Sequence, residues 1–322
     1  LFHKLGTESR ERLFLAGNRV GKTYAGSVET AMHLTGIYPD WWDGQRFSHP
    51  VDAWAVSDTN VSTRDILQLA YIGDPARGIE GAIHSSLIDS LMPARGIADF
   101  TDTVRVRHKS GSLSTLSFKS YEQGRKKFQG THKHVIHLDE EPPQDVYTEC
   151  SLRTTEVGDK QAGSIILTMT PLSGMTELMK QFLMPKDGGL AATGVVQHSG
   201  RVYVQAGWED NPHISEDERE ALLRKTPAHE LEARQLGVPA LGSGVVFPVA
   251  ESTIKVEPFK IPSYWPQVYG MDFGWTNPTA AVFAAHDRDN DIVYIYGEYA
   301  QSERTPQSHA LSLMDMGADW ME

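Results

Sequence analysis

The sequence has little cysteine, no long apolar run and a deficit of positive charge. Its one cysteine, Cys150, excludes an internal disulfide and favours a reducing compartment. No apolar run approaches the roughly 20 residues that a membrane-spanning helix needs, and no charged-then-apolar leader opens the chain, so no membrane partner is expected. The first residue is Leu1 rather than Met, so we expect that a natural N-terminal part was cut away or is not represented.

Basic residues are outnumbered, with 30 Lys and Arg against 42 Asp and Glu, which gives a formal net charge of −12 at pH 7. Because affinity for a phosphate backbone comes largely from Lys and Arg, this balance argues against a static DNA clamp. Two local basic stretches, 105–109 and 125–127, are candidate nucleic-acid contacts, although a solvated face explains each of them as well.

The most informative segment is AGNRVGKT at residues 16–23, which follows the apolar run 13–15 and precedes a stretch that reads as helix to about Leu34. A phosphate-binding loop has this strand–loop–helix context. Lys22 is expected to reach the terminal phosphates, the Thr23 hydroxyl to ligate Mg²⁺, and the backbone N–H groups to point at a polyphosphate. The predicted nucleotide-binding residues are Gly17, Asn18, Arg19, Val20, Gly21, Lys22 and Thr23.

The chain alternates strand-like and helical stretches over residues 1–170, which predicts an α/β fold with a mainly parallel sheet, the core of a RecA-like P-loop NTPase. Charged, helical sequence runs from Asp210 to Leu236, and the Pro and Gly residues at 239, 242, 244 and 248 predict a boundary. We therefore expect a motor domain at 1–208, a helical linker at 209–247, and the start of a β-led domain at 248–322. Strands are predicted at 13–15, 53–56, 103–106, 113–118, 134–138, 164–168, 268–274, 280–285 and 292–296.

An apolar strand ends in consecutive carboxylates at Asp139 and Glu140. In phosphate-loop enzymes the first such acid helps to hold Mg²⁺, and a neighbouring Glu can polarise the attacking water. We assign Asp139 to the metal and Glu140 to the general base. The next strand ends in Thr168, Met169 and Thr170. The two threonine hydroxyls could sense the γ-phosphate and couple hydrolysis to movement.

Hydrolysis in this class also needs a cation on the developing phosphoryl charge. Two arginines are candidates: Arg19 inside the phosphate loop, and Arg125 shortly before the acidic strand. Arg19 is adjacent to the nucleotide in any oligomer, whereas Arg125 could act on a neighbouring subunit. The sequence leaves both open.

Five segments resemble, in the right order and across nearly the whole chain, the large terminase subunit of tailed double-stranded-DNA bacteriophages. They are AGNRVGKT with the following AMHLTGIYP, HVIHLDEEPP, ILTMTPLSGM, GVPALGSGVVFP and GMDFGWTNP. The resemblance implies an ATP- and Mg²⁺-dependent motor that pumps DNA into a procapsid, with a C-terminal RNase H-like nuclease that cuts concatemeric DNA.

The same resemblance implies partners and a second metal site. The partners are double-stranded DNA, the portal protein, the small terminase subunit and further copies of the chain in a ring, a pentamer, in the host cytoplasm and transiently on procapsids. It marks Asp272 as a nuclease carboxylate for Mg²⁺ or Mn²⁺. Two-metal nucleases need several carboxylates, so we expect the remaining acids beyond Glu322 and no cleavage by these 322 residues alone.

Two other functions are weighed against this one. A helicase-like DNA translocase without a capsid has a similar mechanism and stays open. A nucleotide-switch GTPase is disfavoured because no Asn-Lys-x-Asp guanine motif occurs. Zinc binding by His132, His134 and His137 is disfavoured because strand alternation puts His137 on the opposite face from the other two.

Overall fold

The computed structural model describes residues 1–155, 162–184, 191–239 and 254–317. The chain divides into two compact units, residues 1–254 and 255–322. Of the predicted boundary, positions 242, 244 and 248 lie outside the described residues.

The described strands are β1 (Glu11–Ala16), β2 (Asp52–Ser57), β3 (Ile88–Pro93), β4 (Thr101–Arg107), β5 (Leu113–Ser120), β6 (Val135–Asp139), β7 (Ser164–Met169), β8 (Arg201–Ala206), β9 (Gln267–Asp272), β10 (Thr279–Asp287) and β11 (Ile292–Gln301). The described helices are α1 (Lys22–Thr35), α2 (Asn60–Ser62), α3 (Leu69–Ile72), α4 (Gln144–Arg153), α5 (Glu177–Leu183), α6 (Glu216–Lys225), α7 (Leu231–Leu236) and α8 (Pro306–Asp315). A π-helical turn, Thr63–Gln68, joins α2 to α3. Short 3₁₀ turns include Tyr121–Gln123, Arg125–Phe128 and Trp208–Asp210.

The first unit is built on one sheet whose strands lie in the order β3-β4-β5-β2-β6-β7-β1-β8. The pairings from β5 to β8 are parallel, whereas β3, β4 and β5 form an antiparallel flank. This confirms the predicted α/β fold with a mainly parallel sheet. It also extends the prediction, because β3 and β8 were not expected from the sequence.

The order of the central strands decides where the chemistry can lie. β7 is inserted between β1, which leads into the phosphate loop, and β6, which carries the acidic pair. All three run parallel, so their carboxyl ends meet at one edge of the sheet, with Leu15 opposite Met169 and Asp139 opposite Thr168. The predicted phosphate loop, acidic pair and threonine segment therefore share that edge.

Both faces of this sheet are covered. Every residue of β6 and β7 is buried, as expected for central parallel strands packed on both sides. On one face, Ala31 and Leu34 of α1 join the core, and on the other, Val146 of α4 and Phe182 of α5 do so.

A buried ion pair lies under α1. Glu29 is fully buried, and Arg12 Nη2 on β1 lies 2.5 Å from its Oε1. His3 Nδ1 is 2.7 Å from Glu29 Oε2, and His33 Nε2 is 3.4 Å from Oε1. Burial opposes ionisation of Glu29, but Arg12 and the two histidines outweigh it and hold its pKa well below the usual range. The charge is therefore retained in the core.

The second unit contains a three-stranded antiparallel sheet in the order β11-β10-β9, together with α8. Its small apolar cluster contains Ala281, Phe283, Tyr299 and Leu313. The carboxylate of Asp287 accepts hydrogen bonds from the backbone of Asp289 and Asn290, which forms the polar turn between β10 and β11. The three predicted strands are present, but the first ends at Asp272 rather than at residue 274.

Candidate functional site

The phosphate loop lies between β1 and α1. It leads into the N-terminus of α1, whose geometry is suited to binding an anion. Gly21 is the N-cap of α1 and has a φ of 92°, and Arg19 has a φ of 64°. The N-cap makes no side-chain hydrogen bond, and the first turn contains no acidic residue. Because the first N–H groups of a helix lack intrahelical acceptors and carry the positive end of the dipole, this geometry favours a phosphate.

Residues of the helical segment that follows β8 make hydrogen bonds to the backbone of the phosphate loop. Trp208 Nε1 donates to Asn18 O at 2.9 Å, Asn211 Nδ2 donates to Arg19 O at 2.7 Å, and Asn18 N donates to Arg234 O at 2.8 Å. Sequence reasoning missed Trp208 and Asn211, since nothing local marks a residue about 190 positions away as a partner of the loop. Val20 is one of the predicted nucleotide-binding residues, and we assign no specific role to its side chain.

Close packing against α7 explains why residue 17 is a glycine. A Cβ atom at this position would lie 2.5 Å from Arg234 O and 2.7 Å from Gln235 O. Any larger residue would push the loop away from the end of α7. The glycine is therefore needed for the contact between the loop and α7.

Asp139 is buried at the end of β6 and accepts two hydroxyl hydrogen bonds on the same oxygen. Thr23 Oγ1 lies 2.9 Å and Thr168 Oγ1 2.7 Å from Asp139 Oδ1. Burial and the neighbouring charge of Glu140 raise the pKa of Asp139 to about 6, although the two threonines and Lys22 oppose this. The structure thus brings together Thr23 and Asp139, the two predicted metal ligands.

Glu140 adopts a left-handed backbone conformation, with φ of 64°, directly after the strand. Its N–H donates to Thr168 O at 2.8 Å, and the Tyr121 hydroxyl donates to its carbonyl at 3.0 Å. The carboxylate stays partly open to solvent, and Oε1 lies 3.7 Å from Lys22 Nζ. A non-glycine residue in this conformation is strained, and such strain concentrates at functional sites.

The threonine segment touches both halves of the site. Thr168 contacts Asp139, while Thr170 Oγ1 lies 2.9 Å from Asn18 Oδ1 and 3.0 Å from Ala16 O in the phosphate loop. Met169 between them is buried in the apolar core. The segment therefore links the acidic strand to the loop through its two hydroxyls.

The two arginine candidates lie in different surroundings. Arg19 is on the loop and its side chain is exposed. Arg125 lies in the 3₁₀ turn before β6, and its Nε is 3.2 Å from the buried carboxylate of Glu149 on α4. Arg153 Nη2 shares Glu149 at 3.0 Å. Arg125 is thus half-exposed and anchored within its own chain.

Asp272 is the last residue of β9, and its side chain is exposed. Within the ranges that the structure describes, no group of three or more His, Cys, Asp or Glu residues could hold a metal ion. Of the three histidines weighed for zinc, His137 is fully buried and hydrogen-bonded to Tyr71 and Thr168. Every described helix is too short or too polar to cross a membrane.

A parallel sheet with one strand inserted between the phosphate-loop strand and the acidic strand, and with a Glu directly after the Asp that ends the acidic strand, defines a P-loop NTPase of the additional-strand, catalytic-glutamate class. Within that class, the chain belongs to the large terminase subunit family. Residues 13–254 match the family model described as "Terminase large subunit, T4likevirus-type, N-terminal".

Relatives agree with this assignment. The large terminase subunit of Salmonella phage P22 is 32% identical, over 94% of this chain and 62% of that protein. That of Enterobacteria phage LP7 is 32% identical over 51% of this chain and 31% of that protein. The chain therefore spans about three-fifths of the length of the P22 relative.

Solved structures show the same fold. The large terminase of a thermophilic bacteriophage superposes with a TM-score of 0.53 at 15% identity, over 98% of this chain and 70% of that one. A second structure of the same terminase, in complex with ATP-γ-S, gives a TM-score of 0.52 at 15% identity, over 96% of this chain and 68% of that one.

Proposed function

We propose that this chain is the ATP-hydrolysing motor of a phage DNA-packaging machine, which moves double-stranded DNA through a portal into procapsids. One observation carries the proposal: Lys22, Thr23, Asp139 and Glu140 meet at one edge of the sheet, beside a helix start suited to phosphate. The large terminases that the chain resembles support ATP as the nucleotide, since one of them binds ATP-γ-S.

The residues at this edge fit a divalent cation. A hydroxyl and a carboxylate, Thr23 and Asp139, lie 2.9 Å apart, and hard cations such as Mg²⁺ prefer oxygen ligands of these kinds. When bound, Mg²⁺ neutralises charge that develops on the phosphate oxygens. Thr23 and Asp139 would hold it.

The remaining side chains divide the work of hydrolysis. Lys22 binds the terminal phosphates as a point charge. Glu140, with its carboxylate open to solvent and 3.7 Å from Lys22 Nζ, orients a water and accepts its proton. Thr168 and Thr170 couple the site to movement, because one touches Asp139 and the other touches the loop. Arg19 and Arg125 remain the two candidates for the catalytic cation.

For the second unit we propose the opening part of an RNase H-like nuclease that cuts concatemeric DNA. The antiparallel sheet with Asp272 at the end of its first strand supports this. Asp272 would be one of several carboxylates around Mg²⁺ or Mn²⁺, and further carboxylates are needed for cleavage.

The working assembly in this proposal is a pentameric ring on the portal in the host cytoplasm. It associates with the small terminase subunit and with procapsids only transiently, and it is absent from the mature virion. The membership of the chain in the large terminase family is the support for these partners.

The decisive experiment combines hydrolysis with portal binding. Purified protein should release phosphate from ATP in the presence of Mg²⁺, and excess GTP should compete poorly. It should also co-purify with a portal ring. Hydrolysis with DNA stimulation but without portal binding would favour the helicase-like translocase, and efficient competition by GTP would favour a switch GTPase.

A further inference from the structure

A chain of buried hydrogen bonds leads from Asp139 into the core of the first unit. His137 Nε2 lies 2.8 Å from Thr168 Oγ1, which itself lies 2.7 Å from Asp139 Oδ1. The other ring nitrogen, Nδ1, lies 2.9 Å from the Tyr71 hydroxyl. Tyr71, His137 and Thr168 are fully buried. The four side chains form a continuous line of buried hydrogen bonds.

Counting hydrogens gives this chain one direction. A carboxylate only accepts, so the single hydroxyl hydrogen of Thr168 goes to Asp139. The hydrogen between Thr168 and His137 must then come from Nε2. In a neutral imidazole Nδ1 is therefore an acceptor, and the Tyr71 hydroxyl donates to it. The result is a run of donations from Tyr71 through His137 and Thr168 to Asp139.

The imidazole has little freedom to leave this position. A Cβ atom at Gly26 of α1 would lie 2.3 Å from His137 Nε2, so the glycine provides the space that the ring occupies. The Tyr71 ring packs edge-on against Phe118 of β5, with ring centroids 5.8 Å apart. Packing and hydrogen bonds thus select one rotamer and one tautomer of His137.

Tyr71 belongs to a helical segment that is itself anchored near the active edge. This segment, residues 60–72, begins with a capping box at Thr59, and Asn60 donates to Glu122. It contains the π-helical turn Thr63–Gln68, a feature that often marks functional positions. The series of hydrogen bonds therefore ends at Tyr71 in a helical segment whose N-terminus is held in place by hydrogen bonds.

We propose that His137 and Tyr71 are positioning residues for the metal-binding carboxylate. His137 keeps the Thr168 hydroxyl aimed at Asp139 Oδ1, and Tyr71 keeps His137 in the required tautomer, so the plane of the carboxylate is set before a cation arrives. The inference rests on the proposed function, since it assumes that Asp139 holds Mg²⁺ with ATP. Outer partners of metal ligands commonly act in this way.

The test measures Mg²⁺ dependence of binding rather than turnover. Binding of a non-hydrolysable ATP analogue is titrated against Mg²⁺ for the wild type, His137→Leu, His137→Gln and Tyr71→Phe. We expect His137→Leu to weaken the apparent Mg²⁺ affinity by about tenfold or more, which is the range for lost outer-shell partners. His137→Gln retains a donor near the position of Nε2 and should stay within about threefold of the wild type.

Tyr147→Phe is the matched control for Tyr71→Phe. Tyr147 is also a buried tyrosine whose hydroxyl makes a hydrogen bond. Its partner is Glu11 Oε2, at 2.7 Å, and Glu11 is the first residue of β1, at the opposite end of the strands from the acidic pair. We expect Tyr71→Phe to shift the Mg²⁺ dependence and Tyr147→Phe to leave it unchanged. Equal behaviour of the two variants would overturn the proposal.

A second measurement does not depend on a bound cation. The ¹⁵N shifts of the imidazole, assigned by comparison with His137→Gln, should show hydrogen on Nε2 and none on Nδ1. A Nδ1–H tautomer would also refute the proposal, even if His137→Leu fails to fold. Should the wild type bind no ATP analogue at any Mg²⁺ concentration, the proposed function fails instead, and the two failures are thereby distinguished.

Discussion

Lys22 Nζ lies 3.7 Å from Glu140 Oε1, so the lysine of the phosphate loop and the candidate general base face each other across the edge of the sheet. The pair depends on the strand order β6-β7-β1, because that order places the loop after β1 near the end of β6. A terminal phosphate is a stronger partner for Lys22 than the partly exposed carboxylate of Glu140 is. In the proposed function the two residues have separate roles: Lys22 binds the terminal phosphate, and Glu140 acts on water.

The first prediction is that variants of these two residues fail at different steps. Lys22→Ala should lose nucleotide binding, whereas Glu140→Gln should bind ATP but hydrolyse it about 10²- to 10⁴-fold more slowly, the usual contribution of a general base. Binding is measured by fluorescence of a labelled analogue and turnover by phosphate release. Circular dichroism should show an intact fold for both variants.

Glu177→Gln serves as the control for this pair, because Glu177 is an exposed acid on α5 that pairs with Lys180. It should hydrolyse ATP at the wild-type rate. Retained hydrolysis in purified Glu140→Gln would remove Glu140 from the role of base.

The second prediction separates Arg19 from Arg125. An arginine that acts within its own subunit cannot be supplied by a neighbour, whereas one that acts on a neighbouring site can. We therefore mix Arg19→Ala or Arg125→Ala protein with Lys22→Ala protein, which still carries both arginines. If Arg125 is the catalytic cation and acts across subunits, mixing should restore phosphate release to Arg125→Ala. If Arg19 is the catalytic cation within its own subunit, Arg19→Ala should stay inactive at every ratio.

Arg153→Ala is the matched control for that experiment. Arg153 shares Glu149 with Arg125, so its loss perturbs the same ion pair without removing the candidate. If Arg153→Ala and Arg125→Ala lose activity equally, the ion pairs with Glu149 only stabilise α4, and Arg125 is not the catalytic cation.

The local parts of this site could be read from the sequence, and the long-range parts could not. Residues 16–23 and the pair Asp139 and Glu140 are contiguous motifs, and parallel strands bring their ends together by necessity. Trp208 and Asn211 contact the loop from about 190 residues away, and no local pattern encodes that distance. The run of Val202, Tyr203 and Val204 could have identified β8, whereas the edge strand β3 is largely exposed, and its sequence has little apolar–polar alternation to detect.

The third prediction concerns the buried pair of Arg12 and Glu29. Glu29→Gln leaves the Arg12 guanidinium buried without a charge partner, which should reduce the free energy of unfolding by about 3–5 kcal/mol at pH 7. The exposed pair Arg224 and Glu220 on α6 is the control, and Glu220→Gln should cost about 0.5 kcal/mol or less. Urea unfolding of the three proteins measures both effects.

The pH dependence of that stability has a definite sign. The pKa of Glu29 is lower in the folded than in the unfolded protein, so its contribution is complete above the unfolded value and is lost as the pH falls through the folded one. The difference between wild type and Glu29→Gln should therefore shrink in acid. A difference that is constant down to the pH of acid unfolding would contradict the assignment of the charge to Glu29.

The fourth prediction is that Gly26→Ala destabilises the protein although alanine is the better helix former. In an exposed helix interior the change would stabilise by about 1 kcal/mol. Here the new Cβ would lie 2.3 Å from His137 Nε2 and 2.7 Å from Cε1, and such overpacking costs about 1–3 kcal/mol. The same substitution in a His137→Ala background meets no ring and should be neutral or stabilising. Unfolding midpoints of the four proteins in this cycle measure the clash directly, and a cost that persists without the ring would place the strain elsewhere in α1.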